Sequence, residues 1–242
     1  MLYQKEFENL VQISITETEK FYEENDSNTT SNPFYIGFGN PNSDILLIGK
    51  EKAFEIEDKE ELKYESVQNP SEWHYYVKNS ISYNKEKFKE EAKFYLNAFY
   101  PYEKTNGGGD TWAKYESLIN RILEKNIIKH NDFFKDAFLT EVNFVPSKQS
   151  QIKKFNEKVR QNFLKYPFYK SFKITILGCA DYLDQNEIEE IFEVKFDQDL
   201  SEKHKLIVYK DSNRILVNTR QLSTAVPNLY LQKIADEVRS YL

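Results

Sequence analysis

The chain has 242 residues, 40% hydrophobic and 30% charged, which predicts one medium-sized globular domain with a full core. Seven Gly, seven Pro and 15% aromatics exclude long disorder and collagen-like repeats, and a single Cys excludes a disulfide framework, a multi-Cys zinc centre and a Cys-ligated iron–sulfur cluster. A net charge of −6 has the wrong sign for holding long polyphosphate by bulk field.

In chain order, an amphipathic helix is expected near Leu2 to Glu24, then a polar loop over Asn25–Asn32 and an extended lead-in, Asn32 to Pro41. The first strand-length apolar run is Asp44–Gly49. A long excursion follows, read as an insertion over 54–110 with helices around 71–99. Thr111 is the expected N-cap of a helix whose stripe is Tyr115, Leu118, Ile119, Ile122 and Leu123. Next come a strand at Ala137–Asn143, a helix over Gln151–Tyr166 with Ile152, Phe155, Val159 and Phe163 on one face, and a strand at Lys173–Cys179. Asp184 is placed to cap a helix through Phe192, Arg214–Thr219 is the fourth strand, and Pro227 precedes a final helix over Leu229–Leu242. Because the four runs are continuously apolar, both of their faces should be covered. The expectation is a three-layer α/β/α domain over 1–242 with a central four-stranded parallel sheet. No apolar run has membrane-spanning length and the first residues lack a signal-peptide plan, so a cytoplasmic, monomeric protein with no membrane partner is expected.

Charge is uneven. From Ser147 to Lys173 there are eight bases and one acid, including Lys148, Lys153, Lys154 and Arg160; from Ala180 to Glu202 there are nine acids and one base. The basic stretch is either a solvated face or a surface that takes phosphates.

Ligands of open parallel sheets bind outside the carboxyl ends of the strands. The residues leaving the four runs include Glu51, Glu141, Asn143, Arg220, Gln221 and Ser223, a polar set too dense to be core. Glu141 follows an apolar run, where an unpaired carboxylate is costly, so it belongs in a pocket or an ion pair. Gly107–Asp110 lacks the flanking strand and Lys-Ser/Thr of a phosphate loop and reads as a turn. His74, His130 and His204 show no metal spacing, and Cys179 reads as a packed thiol.

The Asn32–Pro41 lead-in before Ile45-Leu-Leu-Ile-Gly49, the Thr111-Trp112 helix, three further buried strands and a polar last turn together resemble the uracil-DNA glycosylase superfamily, over roughly residues 32–240. The resemblance implies that Glu51 activates water, that Glu141 reads the base edge, and that the last motif falls on Arg220-Gln221-Leu222-Ser223, with Leu222 as a wedge in the DNA stack. An acid at the base-reading position would prefer a donor-bearing edge, such as the cytosine amino group or N1–H and N2–H2 of guanine, over uracil. In that scheme Arg220 or Gln221 donates to the leaving base, Asn143, Ser223 and Phe54 line the base site, with Phe144 and Trp73 as other aromatic candidates. Lys148, Lys153 and Lys154 contact phosphates. No metal or organic cofactor is implied; the partner is DNA or a nucleotide. The open alternatives are a catalytically inactive nucleotide- or protein-binding module on the same fold, and an unrelated small-molecule α/β enzyme.

Overall fold

The computed structural model describes residues 2–82, 98–99, 109–125, 132–148, 158–223 and 225–242. Lys153, Lys154, His130, the first half of the Gly107–Asp110 turn, and parts of the expected 71–99 and 151–166 helices lie outside the described residues.

Seven strands form one mixed sheet: β1 (Phe38–Gly39), β2 (Ile45–Gly49), β3 (Phe138–Glu141), β4 (Ile174–Leu177), β5 (Lys195–Phe196), β6 (Ile207–Lys210) and β7 (Ile215–Asn218), in the spatial order β1-β3-β2-β4-β7-β6-β5. The four apolar runs are β2, β3, β4 and β7, which pair in parallel as β3-β2-β4-β7. The expected sheet of four parallel strands is therefore the centre of a larger one, because β1 adds antiparallel to β3, and β6 and β5 add antiparallel beyond β7. The extra strands escape a search for apolar runs. Two of them are two residues long, and β6 leaves Ile207 48% exposed.

Among the described residues, eight α-helices accompany the sheet: α1 (Lys5–Glu24), α2 (Lys59–Leu62), α3 (Asn69–Lys78), α4 (Gly109–Ile122), α5 (Lys158–Leu164), α6 (Gln185–Phe192), α7 (Gln198–His204) and α8 (Asn228–Val238). Three of them bury one residue set at i, i+3, i+4 and i+7: Phe7, Leu10, Val11 and Ser14 in α1; Tyr115, Leu118, Ile119 and Ile122 in α4; Leu231, Ile234, Ala235 and Val238 in α8. Asp184 and Glu187 form a reciprocal capping box at the start of α6. α4 begins at Gly109, so Thr111 lies inside the helix rather than capping it. Pro227 is the N-cap of α8, one position before the helix proper.

Side chains of the parallel strands alternate between two apolar clusters. Leu46, Ile48, Phe138, Leu177 and Leu216 pack with residues of α1, α3, α5 and α6; Leu47, Leu139, Ile176 and Val217 pack with α4 and α8. The described part of the insertion contributes to the first cluster. Trp73 and Tyr76 of α3 are fully buried, and the Trp73 ring meets Phe7 edge-on at 4.9 Å and Phe138 at 6.1 Å. Asn69 accepts from the amides of Ile36 and Gly37 and, with the Trp73 indole, donates to the Gly37 carbonyl, which ties the lead-in to β1 against α3. Among the described residues, no helix is long and apolar enough to cross a membrane.

Candidate functional site at the carboxyl edge of the parallel strands

The chain leaves β2 toward β3 on one side, whereas the chain leaving β4 reaches β7 on the other. The crevice between the carboxyl ends of β2 and β4 is therefore the switch point at which open α/β sheets take ligands. Glycine ends the first strand and follows the second for a steric reason. A Cβ on Gly49 would lie 3.3 Å from the Tyr115 hydroxyl and one on Gly178 would lie 3.2 Å from it, so the phenol of α4 occupies the space two side chains would need.

The turn beyond β2 is held by the turn beyond β3. Val142 N donates to Gly49 O, Asn143 N to Lys50 O and Ser147 N to Lys52 O, at 2.8 to 3.0 Å, so ladder-like pairing continues past the strand ends and fixes the backbone on both sides of Glu51. Glu51 has a buried Oε2 without a hydrogen-bond partner. Lys50 Nζ lies 4.8 Å from the centre of the Tyr182 ring. In the sheet register Ile48, Leu177 and Asn218 stand side by side. Asn218 is 8% exposed; its Nδ2 donates to Ala180 O at 3.3 Å and its Oδ1 has no partner. Buried polar atoms are normally paired, so two unpartnered acceptors at one edge are informative.

Glu141 neighbours Gly49 in the register and sits over a buried network. The Tyr35 hydroxyl donates to Glu141 Oε2 at 2.6 Å and accepts from Glu141 N at 2.9 Å. Arg160, 1% exposed, donates through Nε and Nη2 to Glu141 O, through Nη2 to Thr140 Oγ1, and through Nη1 to the carbonyls of Pro33 and Tyr35. Lys52 donates to the Glu65 carbonyl, pairs with the Glu65 carboxylate at 3.4 Å, and lies over the rings of Tyr35 and Phe38 at 4.3 and 4.0 Å. Burial pushes the Tyr35 hydroxyl far above its ordinary value. Burial also lowers Lys52, against the opposing pull of the Glu141 and Glu65 carboxylates. The side chains of this network are occupied with one another, which makes it a scaffold under the edge.

The expected site residues separate accordingly. Glu51 and Glu141 both reach the carboxyl edge, the second tied to Tyr35. Asn143 is buried and its Oδ1 accepts from Val145 N, so it closes its own turn. Arg220 is exposed, with Nη2 donating to Ala225 O at 3.1 Å. Gln221 and Ser223 are half-buried, and Phe54 is 3% exposed. Leu222 is fully buried in the cluster with α4 and α8; a wedge must leave the surface, so this side chain belongs to the core instead.

The apolar stripe expected over Gln151–Tyr166 is corrected. On α5 the buried residues are Arg160, Phe163 and Leu164, whereas Val159 is 45% exposed, so the helix is rotated one position from the expected stripe. Lys165 pairs with Glu190 at 2.6 Å, Lys170 with Glu193, and Lys173 with Asp44 at 3.3 Å. Two of those acids come from the acidic stretch, so at least three of the eight bases meet acids at the surface of the fold, and Lys148 is exposed. Sequence reasoning missed the roles of Lys52, Arg160 and Asn218. The only local signal was Arg160 standing three and four residues before Phe163 and Leu164, on their helix face.

Among the described residues, no three His, Cys, Asp or Glu side chains group as a metal ion would require. The chain matches no family model, no curated protein and no solved structure.

Proposed function

We propose that the chain is an N-glycosidase-like hydrolase, built on a three-layer α/β/α arrangement similar to the uracil-DNA glycosylase superfamily, which takes a nucleobase into the crevice between β2 and β4. The observation that carries this reading is the buried, unpartnered Oε2 of Glu51 at the turn leaving the first parallel strand. An unsatisfied buried acceptor costs about 1–3 kcal/mol, a cost relieved when an incoming water or N–H supplies the donor. Glu51 then orients water toward the anomeric carbon and accepts its proton as the C–N bond breaks, while stabilising the cationic sugar. The departing base gains negative charge. Arg220 stabilises it as a hydrogen-bond donor, and solvent protonates the base. β2 and β7 are two strand spacings apart, about 10 Å, a span that one nucleoside lying over β4 covers.

The core position of Leu222 and the pairing of Lys165, Lys170 and Lys173 with acids of this chain favour a nucleoside, a nucleotide or a single extruded base over a long duplex footprint. The second reading, a non-catalytic nucleotide-binding module, is favoured by the engagement of Glu141 and Asn143 within the fold.

The test is incubation with nucleosides and with labelled single- and double-stranded oligonucleotides carrying uracil, hypoxanthine, xanthine or a mismatch, followed by alkali, beside Glu51→Gln and Arg220→Ala. Base release abolished by Glu51→Gln and reduced by Arg220→Ala is the expected result. No release from any substrate, with nucleotide binding retained, establishes the binding module instead.

A further inference from the structure

We infer that Tyr115 and Glu141 bind the 2′-hydroxyl of a ribose, so that the crevice selects ribonucleosides and ribonucleotides over their 2′-deoxy counterparts. The inference rests on the proposed reading of the crevice as a nucleoside site and goes further by naming the class of sugar and the two residues that choose it.

The two side chains meet over one backbone position. A Cβ on Gly49 would lie 3.3 Å from the Tyr115 hydroxyl and 3.6 Å from Cγ of Glu141, so the phenol from α4 and the carboxylate from the end of β3 flank the same point at the end of β2. Those two lengths hold the hydroxyl and Cγ within about 7 Å of each other, a gap that one oxygen hydrogen-bonded to both can bridge. Glycine puts no side chain between them. Tyr115 is 5% exposed, yet its hydroxyl bonds no described residue and is not among the sealed polar atoms of the fold. Glu141 is half-buried; its Oε2 takes the Tyr35 hydroxyl, whereas Oε1 bonds no described residue and is likewise within reach of solvent.

Burial pushes the Tyr115 hydroxyl well above its ordinary value, with the Glu141 charge adding to the shift, so the phenol keeps its proton and donates. Glu141 accepts. A phosphate here would meet the charge of the carboxylate, and a carbonyl would satisfy the phenol alone, whereas an alcohol accepts from the first and donates to the second through a single oxygen. The place of that alcohol on the ligand follows from Glu51. Gly49 stands two residues before Glu51 on the same turn, and the proposed function gives Glu51 the anomeric carbon, so the group over Gly49 belongs to the sugar while the base extends over β4 toward β7. The hydroxyl on the carbon next to the anomeric one is the 2′-hydroxyl. A 2′-deoxy sugar leaves the phenol and the carboxylate stranded, and a site built to bond a hydroxyl rejects the analogue lacking it.

The experiment is calorimetric titration of the full chain with AMP, GMP, CMP and UMP, each beside its 2′-deoxy and 3′-deoxy forms. For the base that binds most tightly, the ribonucleotide is expected to bind at least about tenfold tighter than the 2′-deoxynucleotide and within about twofold of the 3′-deoxynucleotide. Tyr115→Phe removes only the hydroxyl and should cut the ribose preference at least about threefold; Glu141→Gln, which leaves a neutral acceptor, should cut it at least about twofold. Circular dichroism checks that both variants are folded. Where binding is too weak to titrate but base is released, the ratio of kcat/KM for the two sugars is read against the same thresholds. Equal or tighter binding of the 2′-deoxynucleotide by the unmodified chain overturns the inference and leaves the nucleoside site standing. A preference lost with the 3′-deoxy form instead overturns the assignment to the 2′-hydroxyl. A ribose preference unchanged in a folded variant overturns the role of the residue replaced. Binding of none of the nucleotides, together with no base release in the hydrolysis assay, overturns the inference and the proposed function together.

Discussion

The Arg160 guanidinium lies over the Tyr35 ring, its carbon 4.0 Å from the ring centre, and donates to the Tyr35 carbonyl at 2.7 Å, so one cation holds both the side chain and the backbone of this residue in the lead-in before β1. The same guanidinium holds the end of β3 through Thr140 and Glu141. Arg160→Leu strands several carbonyls at once, and Arg160→Lys cannot reproduce the planar fork. Both variants should lose about 3 kcal/mol or more in urea unfolding. A loss below about 1 kcal/mol would show that the network is not structural.

Tyr35→Phe removes one donor from the Glu141 carboxylate and one acceptor from its amide. The expected loss is about 1–2 kcal/mol in the same measurement, with the overall fold retained by circular dichroism.

Stability should depend on alkaline pH in two directions. The folded-state value of Lys52 is below its ordinary 10.5, so between the lowered value and 10.5 the unfolded chain binds more protons and stability rises with pH. Burial raises Tyr35, Tyr115 and Tyr169 above their ordinary 10.0, so above that pH the folded chain holds protons the unfolded chain releases and stability falls. Urea unfolding from neutral pH upward should therefore show a rise toward about pH 10 and then a decline; Lys52→Met should lose the rise and keep the decline. Identical pH profiles for the two proteins would remove Lys52 from the account.

Gly178→Ala forces a methyl toward the Tyr115 hydroxyl at 3.2 Å and should cost about 1 kcal/mol. In a Tyr115→Phe background the clash is gone, and a double-mutant cycle should return a coupling of about 0.5–1 kcal/mol. Additive effects would mean that the Tyr115 hydroxyl does not pack against Gly178.

Cys179 is fully buried and burial pushes its thiol up to about 12. Without thiolate at neutral pH, a disulfide reagent should leave the native chain unmodified and label it promptly in denaturant. Fast native labelling would mean that the turn after β4 opens.

How far the sequence reaches is shown by particular elements. Ile45-Leu-Leu-Ile announces a strand covered on both faces because every residue in it is apolar, and the chain order of four such runs fixes where a switch point falls. Glu51 was legible because it leaves such a run. Leu222 was not: an apolar residue in a polar turn has the same local signature whether it points out or in, and packing against α4 and α8 buries it.

Sequence alone determined the apolar stripe of α4, the Asp184 cap and the parallel centre of the sheet, since each of these follows from constraints among residues a few positions apart. Only the tertiary structure decided the edge strands, the pairing of the basic stretch with acids, the burial of Arg160 and the unpartnered oxygens of Glu51 and Asn218. Arg160 finds partners from 19 to 127 residues away, and whether a polar atom is satisfied depends on such distant neighbours, which no periodicity encodes.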